Sequence, residues 1–125
     1  MTVLPDKLAA LVDEFAKQAE VDYIGLWEIA KVAREELGAQ SQREVIDVGL
    51  KIAKALYEEG LRPGDYDYGT HMDFWPDEGA QAMLDRIERE WIKLGADPTH
   101  LDPICSFLRP KIQIHYSGND DRRSS

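Results

Sequence analysis

The chain has 125 residues, 43% of them hydrophobic, which predicts one domain with a modest core. Its 24 acidic and 15 basic residues give a net charge of −9, which argues against nucleic acid and anionic membranes as ligands and favours a basic protein partner. The single Cys105 cannot form an internal disulfide, and the N-terminal residues have neither a basic segment nor an apolar run, so we expect a cytoplasmic protein.

Two amphipathic helices are predicted in the first part of the chain. Apolar residues recur at helical spacing over residues 5–19, where Pro5 suits the first turn because its missing N–H would have no partner there. The same spacing returns over residues 26–37, and Gly38 follows as a residue that readily adopts the left-handed conformation of a helix end. We therefore predict that helix one ends at Ala19 and helix two at Gly38.

Helix three is predicted from the signals at its two ends. Ser41 and Glu44 have the S-x-x-E spacing in which each side chain accepts a backbone N–H of the first turn. An apolar stripe from Val45 to Leu56 follows, and Gly60 is expected to end the helix.

The stretch "GDYDYGTHMDFWPDEG", residues 64–79, concentrates acids and aromatic rings, and we call it the acidic aromatic segment. From Glu58 to Glu78 the chain has seven acidic residues and one basic residue, so this stretch carries −6 of the total charge of −9. Four interpretations fit the segment: a metal loop, a catalytic pocket, a packed hairpin, or a surface for a basic partner.

We favour a partner surface on a small β-hairpin between helices three and four. Tyrosines alternate with aspartates over residues 65–68, and a tyrosine beside a carboxylate suits recognition of Lys or Arg. The predicted partner-binding residues are Asp65, Tyr66, Asp67, Tyr68, His71, Asp73, Phe74, Asp77 and Glu78.

Helix four has the clearest apolar stripe in the chain, from Ala80 to Leu94, with Gly95 as its expected C-terminal cap. We expect residues 76–78, "PDE", at its N-terminus, where proline is tolerated and acids interact favourably with the helix dipole. Trp75 is expected to pack onto this helix as a hydrophobic staple.

Beyond helix four the sequence predicts β-structure. Residues 104–108, "ICSFL", are expected to bury an edge, and residues 111–116, "KIQIHY", alternate like a short C-terminal strand. Residues 117–125 have a disordered composition, so one compact domain is predicted over residues 1–116. The predicted fold class is mainly α, of the α+β type: four helices, a hairpin, a short C-terminal strand and a winged-helix-like outline.

The helical patterns also bear on ligands. Trp27 and Trp91 lie on or beside apolar stripes, so both are expected in the core. Arg43 and the other basic residues of helix three are offset by neighbouring acids, so the winged-helix outline does not predict DNA binding.

The metal-binding and catalytic interpretations have little support. An EF-hand register starting at Asp67 places Met72 where glycine is required, and the three histidines lack the paired spacing of a zinc site. Cys105 lies near His100 and His115 in sequence, but within "PICSFL" we expect it to be a buried apolar residue. We therefore predict no catalytic residue, no metal and no cofactor.

A family resemblance adds to these patterns. The stretches that carry it are "GLWEIAKVAREELG", "EEGLRPGDYDYG", "FWPDEG" and "RIEREWIKLGADPTHLDPICSFL". They lie within residues 24–107, match best over residues 86–108, and resemble a widespread group of small, acidic bacterial proteins similar to immunity proteins encoded beside polymorphic or contact-dependent toxins. The resemblance implies binding and neutralising a toxin domain in the cytoplasm of the producing cell, and it carries over no functional residue.

We therefore expect a non-enzymatic immunity protein that neutralises a basic, nuclease-type toxin by covering its active site. Opposite charges on the two proteins would speed their association. A winged-helix-like regulatory or adaptor protein that acts through protein contacts is the competing interpretation, and an enzyme with a site assembled from scattered residues is the third.

Overall fold

A computed structural model of the chain describes residues 5–67, 71–100 and 104–110. Its elements are α1 (Pro5–Gln18), β1 (Ile24–Gly25), α2 (Leu26–Glu35), α3 (Gln42–Glu58), β2 (Arg62–Asp67), β3 (His71–Phe74), α4 (Ala80–Leu94) and β4 (Ser106–Leu108). The predicted fold class, mainly α with a small β-sheet, is confirmed. None of the helices in these described ranges is long and apolar enough to cross a lipid bilayer.

The capping box predicted for α3 is present. The Ser41 hydroxyl accepts the backbone N–H of Glu44 at 3.1 Å, and the Glu44 carboxylate accepts the backbone N–H groups of Gln40 at 3.0 Å and Ser41 at 3.2 Å. These N–H donors lower the pKa of Glu44 because they stabilise its charged form. At the other end, Gly60 has φ +98°, as expected for a residue that reverses the chain after a helix.

The start of α4 differs from the prediction. The helix begins at Ala80, with Gly79 as its N-cap at φ +101°, so residues 76–78 lie ahead of its first turn. Its end is as predicted, because Gly95 is left-handed with φ +75° and its N–H bonds the carbonyl of Trp91 at 3.3 Å. The acids of "PDE" therefore do not serve as first-turn residues of α4.

In the described part of the chain the sheet has four antiparallel strands in the order β1-β4-β2-β3. The β2–β3 hairpin between α3 and α4 is as predicted, and its position after three helices follows the winged-helix outline. The "ICSFL" stretch supplies β4, which lies between β1 and β2 and is thus an interior strand rather than an edge. The strand predicted at residues 111–116 and the tail at 117–125 lie outside the described residues.

The core is organised around α3, because α1, α2 and α4 each pack against it. Trp91 is fully buried in this core, as predicted. Trp27 was also expected there, but that prediction is wrong, since its side chain is only half-buried and lines two surface clefts. The fully buried side chains with the largest volumes are Trp91, Phe107, Ile24, Leu26, Ile29, Ile52, Leu56, Leu61, Ile87, Val45 and Val48.

The closest approach between α3 and α4 depends on a glycine. A Cβ atom added at Gly49 would lie 2.6 Å from Cη2 and 2.7 Å from Cζ3 of Trp91, well inside van der Waals contact. Because Trp91 has no exposed surface, its ring has no free volume into which to move. The absence of a side chain at Gly49 is therefore what lets the indole of Trp91 approach α3 this closely.

We predict that Gly49→Ala destabilises the fold by about 1–3 kcal/mol, the usual cost of overpacking a close-packed core. This loss should outweigh the gain of about 1 kcal/mol in helix propensity that alanine brings to an exposed helical site. Urea denaturation measures the change, with Lys51→Ala on the exposed face of the same helix as control.

The clash also predicts that the effects of Gly49→Ala and Trp91→Phe on the free energy of unfolding are not additive. The smaller ring should relieve part of the overpacking, so the double variant should be more stable than the sum of the single changes by at least about 0.5 kcal/mol. Strict additivity would show that the two residues do not limit the approach of α3 to α4.

Candidate partner-binding site

The hairpin places two acids directly opposite each other. In the β2–β3 register Asp65 faces Asp73, and both residues are exposed. Paired residues of antiparallel strands share one face of the sheet, with Cβ atoms about 4.5–5.5 Å apart. This register therefore places two acidic residues side by side on the surface of the hairpin.

The other predicted partner-binding residues are distributed around this pair. Asp77 and Glu78 are exposed on the connection between β3 and α4, and Phe74 at the end of β3 is partly exposed. The backbones of Tyr66, Asp67 and His71 belong to the hairpin, with Asp67 paired to His71. The side chains of these three residues, and all of Tyr68, lie outside the part that the structure describes, so the predicted exposure of both tyrosines is untested.

Asp77 is engaged within the protein. Its Oδ1 accepts the hydroxyl of Tyr57 at 2.7 Å and the backbone N–H of Gly79 at 3.2 Å, and its Oδ2 accepts Nε of Arg62 at 3.1 Å. The Tyr57 hydroxyl, followed by the Gly79 N–H and Arg62, lowers the pKa of Asp77, and the carboxylate in turn raises the pKa of Tyr57. A partner's cation would have to compete with these donors.

Arg62 connects this cluster to α3. Its guanidinium carbon lies 3.9 Å from the centre of the Tyr57 ring, and its Nη1 donates to the carbonyl oxygens of Tyr57 at 2.9 Å and Leu61 at 2.8 Å. The arginine therefore fixes the first residue of β2 against the end of α3. We call Tyr57, Arg62 and Asp77 the hairpin anchor. Our sequence analysis did not identify Tyr57 or Arg62, although Arg62 is the one basic residue among the acids from 58 to 78.

Trp75 joins the hairpin to α4. Its ring is only 9% exposed, and the guanidinium carbon of Arg86 lies 3.7 Å from the ring centre. Arg86 also forms a 2.9 Å ion pair with Glu90, one turn further along the helix. Trp75 thus contacts α4 through a cation–π contact with Arg86 and not as the predicted hydrophobic staple, because the N-cap of α4 is Gly79 and Trp75 lies four residues ahead of it. Trp75 Nε1 donates to Oδ1 of Asp65 at 3.3 Å, which orients one member of the acid pair.

Cys105 has the environment of a structural residue. It is buried, and this burial raises the pKa of its thiol, so the reactive thiolate is disfavoured. Of its sequence neighbours, His100 is exposed and its ring meets Trp27 edge-on, with ring centres 6.1 Å apart. Within the described residues no group of three or more His, Cys, Asp or Glu side chains is arranged to hold a metal ion.

The comparisons with protein-family models, curated proteins and solved structures found no match to this chain. The resemblance to immunity proteins therefore stays a prediction. The functional argument rests on the geometry of the hairpin, which offers an opposed acid pair whose surroundings are fixed by the hairpin anchor and by Trp75.

The environment of Cys105 predicts its reactivity. A thiol reagent such as dithiobis-nitrobenzoate should label the native protein at neutral pH only as fast as the protein unfolds, and should label it rapidly in denaturant. Rapid labelling of the native state would contradict the structural role and restore Cys105 as a candidate nucleophile.

The hairpin anchor predicts a pH-dependent contribution to stability. Because folding lowers the pKa of Asp77 from its usual value of 3.8, its charge stabilises the fold above that pH, and the stabilisation is lost as the pH falls through the folded pKa. Asp77→Asn should therefore melt below the wild type at pH 7, and the difference should close on acidification.

Thermal melts by circular dichroism across the acid range measure this difference. Tyr57→Phe removes the hydrogen-bond donor that contributes most to lowering the pKa of Asp77. The stability of this variant should therefore be lost at a higher pH than that of the wild type. A melting difference between wild type and Asp77→Asn that stays constant from pH 7 to pH 2 would show that the charge of Asp77 is not what stabilises the anchor.

Proposed function

We propose that this chain is a non-enzymatic immunity protein whose acidic hairpin binds a basic protein domain, and that this partner is a nuclease-type toxin. The observation that carries the proposal is the opposed pair of exposed acids, Asp65 and Asp73. Like charges directly opposite each other on neighbouring strands are unfavourable in general, and a partner's Lys or Arg placed beside such a pair forms charge-assisted hydrogen bonds with carboxylate oxygens.

The local charge extends beyond the pair. The stretch from Glu58 to Glu78 carries −6 of the total −9, so most of the net negative charge lies in one part of the chain. A nuclease needs a basic groove to bind its polyanionic substrate, and that groove is attracted to the same negative surface. Covering the groove would exclude the substrate without any chemistry by the immunity protein.

The attachment of the base of the hairpin to α3 and α4 also supports a binding role. The hairpin anchor fixes β2 to α3, and Trp75 fixes the end of β3 through its contact with Arg86 on α4. A surface that is ordered before binding loses less conformational entropy on association than a flexible acidic loop does. The intramolecular bonds of Asp77 therefore support the site indirectly, by holding the acid pair in position.

A regulatory or adaptor protein is the second candidate, because the helices and hairpin follow the winged-helix order. Arg43 at the start of α3 bonds Asp47 at 2.7 Å and Glu88 at 2.9 Å, so its charge is used within the protein rather than offered to DNA phosphates. This candidate therefore also acts through protein contacts. A sequence-specific shift of DNA in a gel would favour regulation over immunity.

The proposal predicts which variant loses the partner. Asp65→Asn/Asp73→Asn removes both charges and keeps an oxygen at Asp65 for the Trp75 N–H, so the fold should be at least as stable as the wild type. Used as bait in the native organism, this variant should enrich the basic partner about tenfold less than the wild type, as quantified by mass spectrometry.

A matched bait is Glu20→Gln/Asp85→Asn, which has the same net charge but changes two exposed acids outside the acidic aromatic segment. It should capture the partner as the wild type does. If both double variants capture less partner than the wild type, and to the same extent, binding depends on total charge. If the wild type and both variants capture the partner equally, the hairpin is not the binding site. A toxin domain among the captured proteins, or a toxin gene beside this one, separates immunity from the adaptor role.

A further inference from the structure

A groove lies on a different part of the molecule, between α1 and α2. Both helices pack against α3, and where they diverge they leave an open groove of about 390 Å³. Gln18 of α1, which lines the groove, bonds across to α2, because its side-chain amide donates to the Tyr23 carbonyl at 3.3 Å and to Oε1 of Glu28 at 3.0 Å. None of the residues that line the groove belongs to the acidic aromatic segment.

The floor of the groove is apolar. Leu11 and Phe15 of α1 face Trp27 and Val32 of α2, and all but the buried Phe15 are partly exposed. Trp27 is the largest of these side chains, and its Nε1 has no hydrogen-bond acceptor among the described residues. A partly exposed tryptophan that lines an apolar depression is typical of a residue that contributes strongly to the energy of an interface.

The rim of the groove is acidic. Four glutamates and one lysine line it, and Glu14, Glu35 and Glu36 are exposed. Glu28 is fixed in place, since its two oxygens accept the amide of Gln18 and the backbone N–H of Gly25 at 2.9 Å. The groove therefore combines an apolar floor with a rim that attracts positive charge.

We propose that this groove is a second docking site, separate from the hairpin, for a basic amphipathic helix of a protein partner. From Trp27 to Glu36 the rise of α2 is about 13.5 Å, or two and a half turns, which matches anchor residues at positions i, i+4 and i+7 of a bound helix. The apolar face of that helix covers Trp27 and Val32. Its Lys and Arg side chains reach the exposed glutamates of the rim.

The choice of occupant follows from charge complementarity. An acidic helix would bring like charges next to the rim glutamates, and the repulsion would disfavour binding. A neutral helix would cover the glutamates with apolar surface, and the loss of their hydration would disfavour binding. A second copy of this chain is disfavoured for the same reason, because the protein carries a net charge of −9. This site goes beyond the proposed function, because binding of a basic helix in the groove does not require that the hairpin binds a toxin.

The test uses the full chain, labelled with ¹⁵N, and a synthetic helical peptide with leucines on one face and lysines on the other. Binding should shift amide resonances of residues 11–18 and 27–36 and leave those of β2 and β3 in place. A peptide of the same composition in scrambled order has no apolar face and should bind at least about tenfold more weakly by calorimetry.

Two variants with equal net charge make the test specific. Glu35→Lys/Glu36→Lys reverses the exposed rim and should weaken peptide binding by at least about tenfold, whereas Glu20→Lys/Asp85→Lys reverses two exposed acids that do not line the groove and should retain binding. Trp27→Ala should also weaken binding about tenfold, with circular dichroism reporting that the fold is retained.

Three results would overturn the proposal. The first is no binding, or equal affinity for the ordered and scrambled peptides. The second is a pattern of shifts confined to the hairpin, which would show attraction to acids in general. The third is a set of groove resonances that move with protein concentration before peptide is added, which would make the groove an interface between copies of this chain.

Discussion

The simultaneous pairing of β4 with β1 and β2 is the constraint on which the rest of the structure depends. Ser106 lies opposite Gly25 on one side and Gly64 on the other, so a three-residue strand joins the chain between α1 and α2 to the hairpin. Arg109, just after β4, donates to backbone carbonyls of α1 and of the end of α3. The last described part of the chain thus fixes the positions of the hairpin and of the two helices that form the groove.

Local signals predicted the elements well because each depends on residues close in sequence. The capping box of α3 involves residues three apart, and Gly60 and Gly95 take the left-handed conformations that end helices. The role of Asp77 was not predictable in this way. Its main partner, Tyr57, is 20 residues away on α3, and only tertiary packing brings the two within 2.7 Å. The register that opposes two aspartates likewise depends on how β2 pairs with β3.

The same packing explains why Trp27 and Trp91 differ. Both follow helical apolar patterns, but Trp91 faces α3 at Gly49, where the absence of a side chain admits the ring. Trp27 lines the groove between α1 and α2, and α1 packs mainly on α3, so the indole is left partly exposed there. Periodicity identifies the apolar face of a helix, whereas the geometry of the neighbouring helices decides whether that face is covered.

The two proposed surfaces differ in what they contribute to binding. The hairpin acts through long-range charge, which mainly raises the association rate and weakens as salt screens it. The groove acts through a desolvated aromatic floor, which mainly slows dissociation and is less sensitive to salt. A partner with a basic catalytic groove and an adjacent basic helix would therefore be captured by one surface and retained by the other. If one partner spans both sites, binding at the first raises the local concentration at the second, so the combined affinity exceeds that of either site.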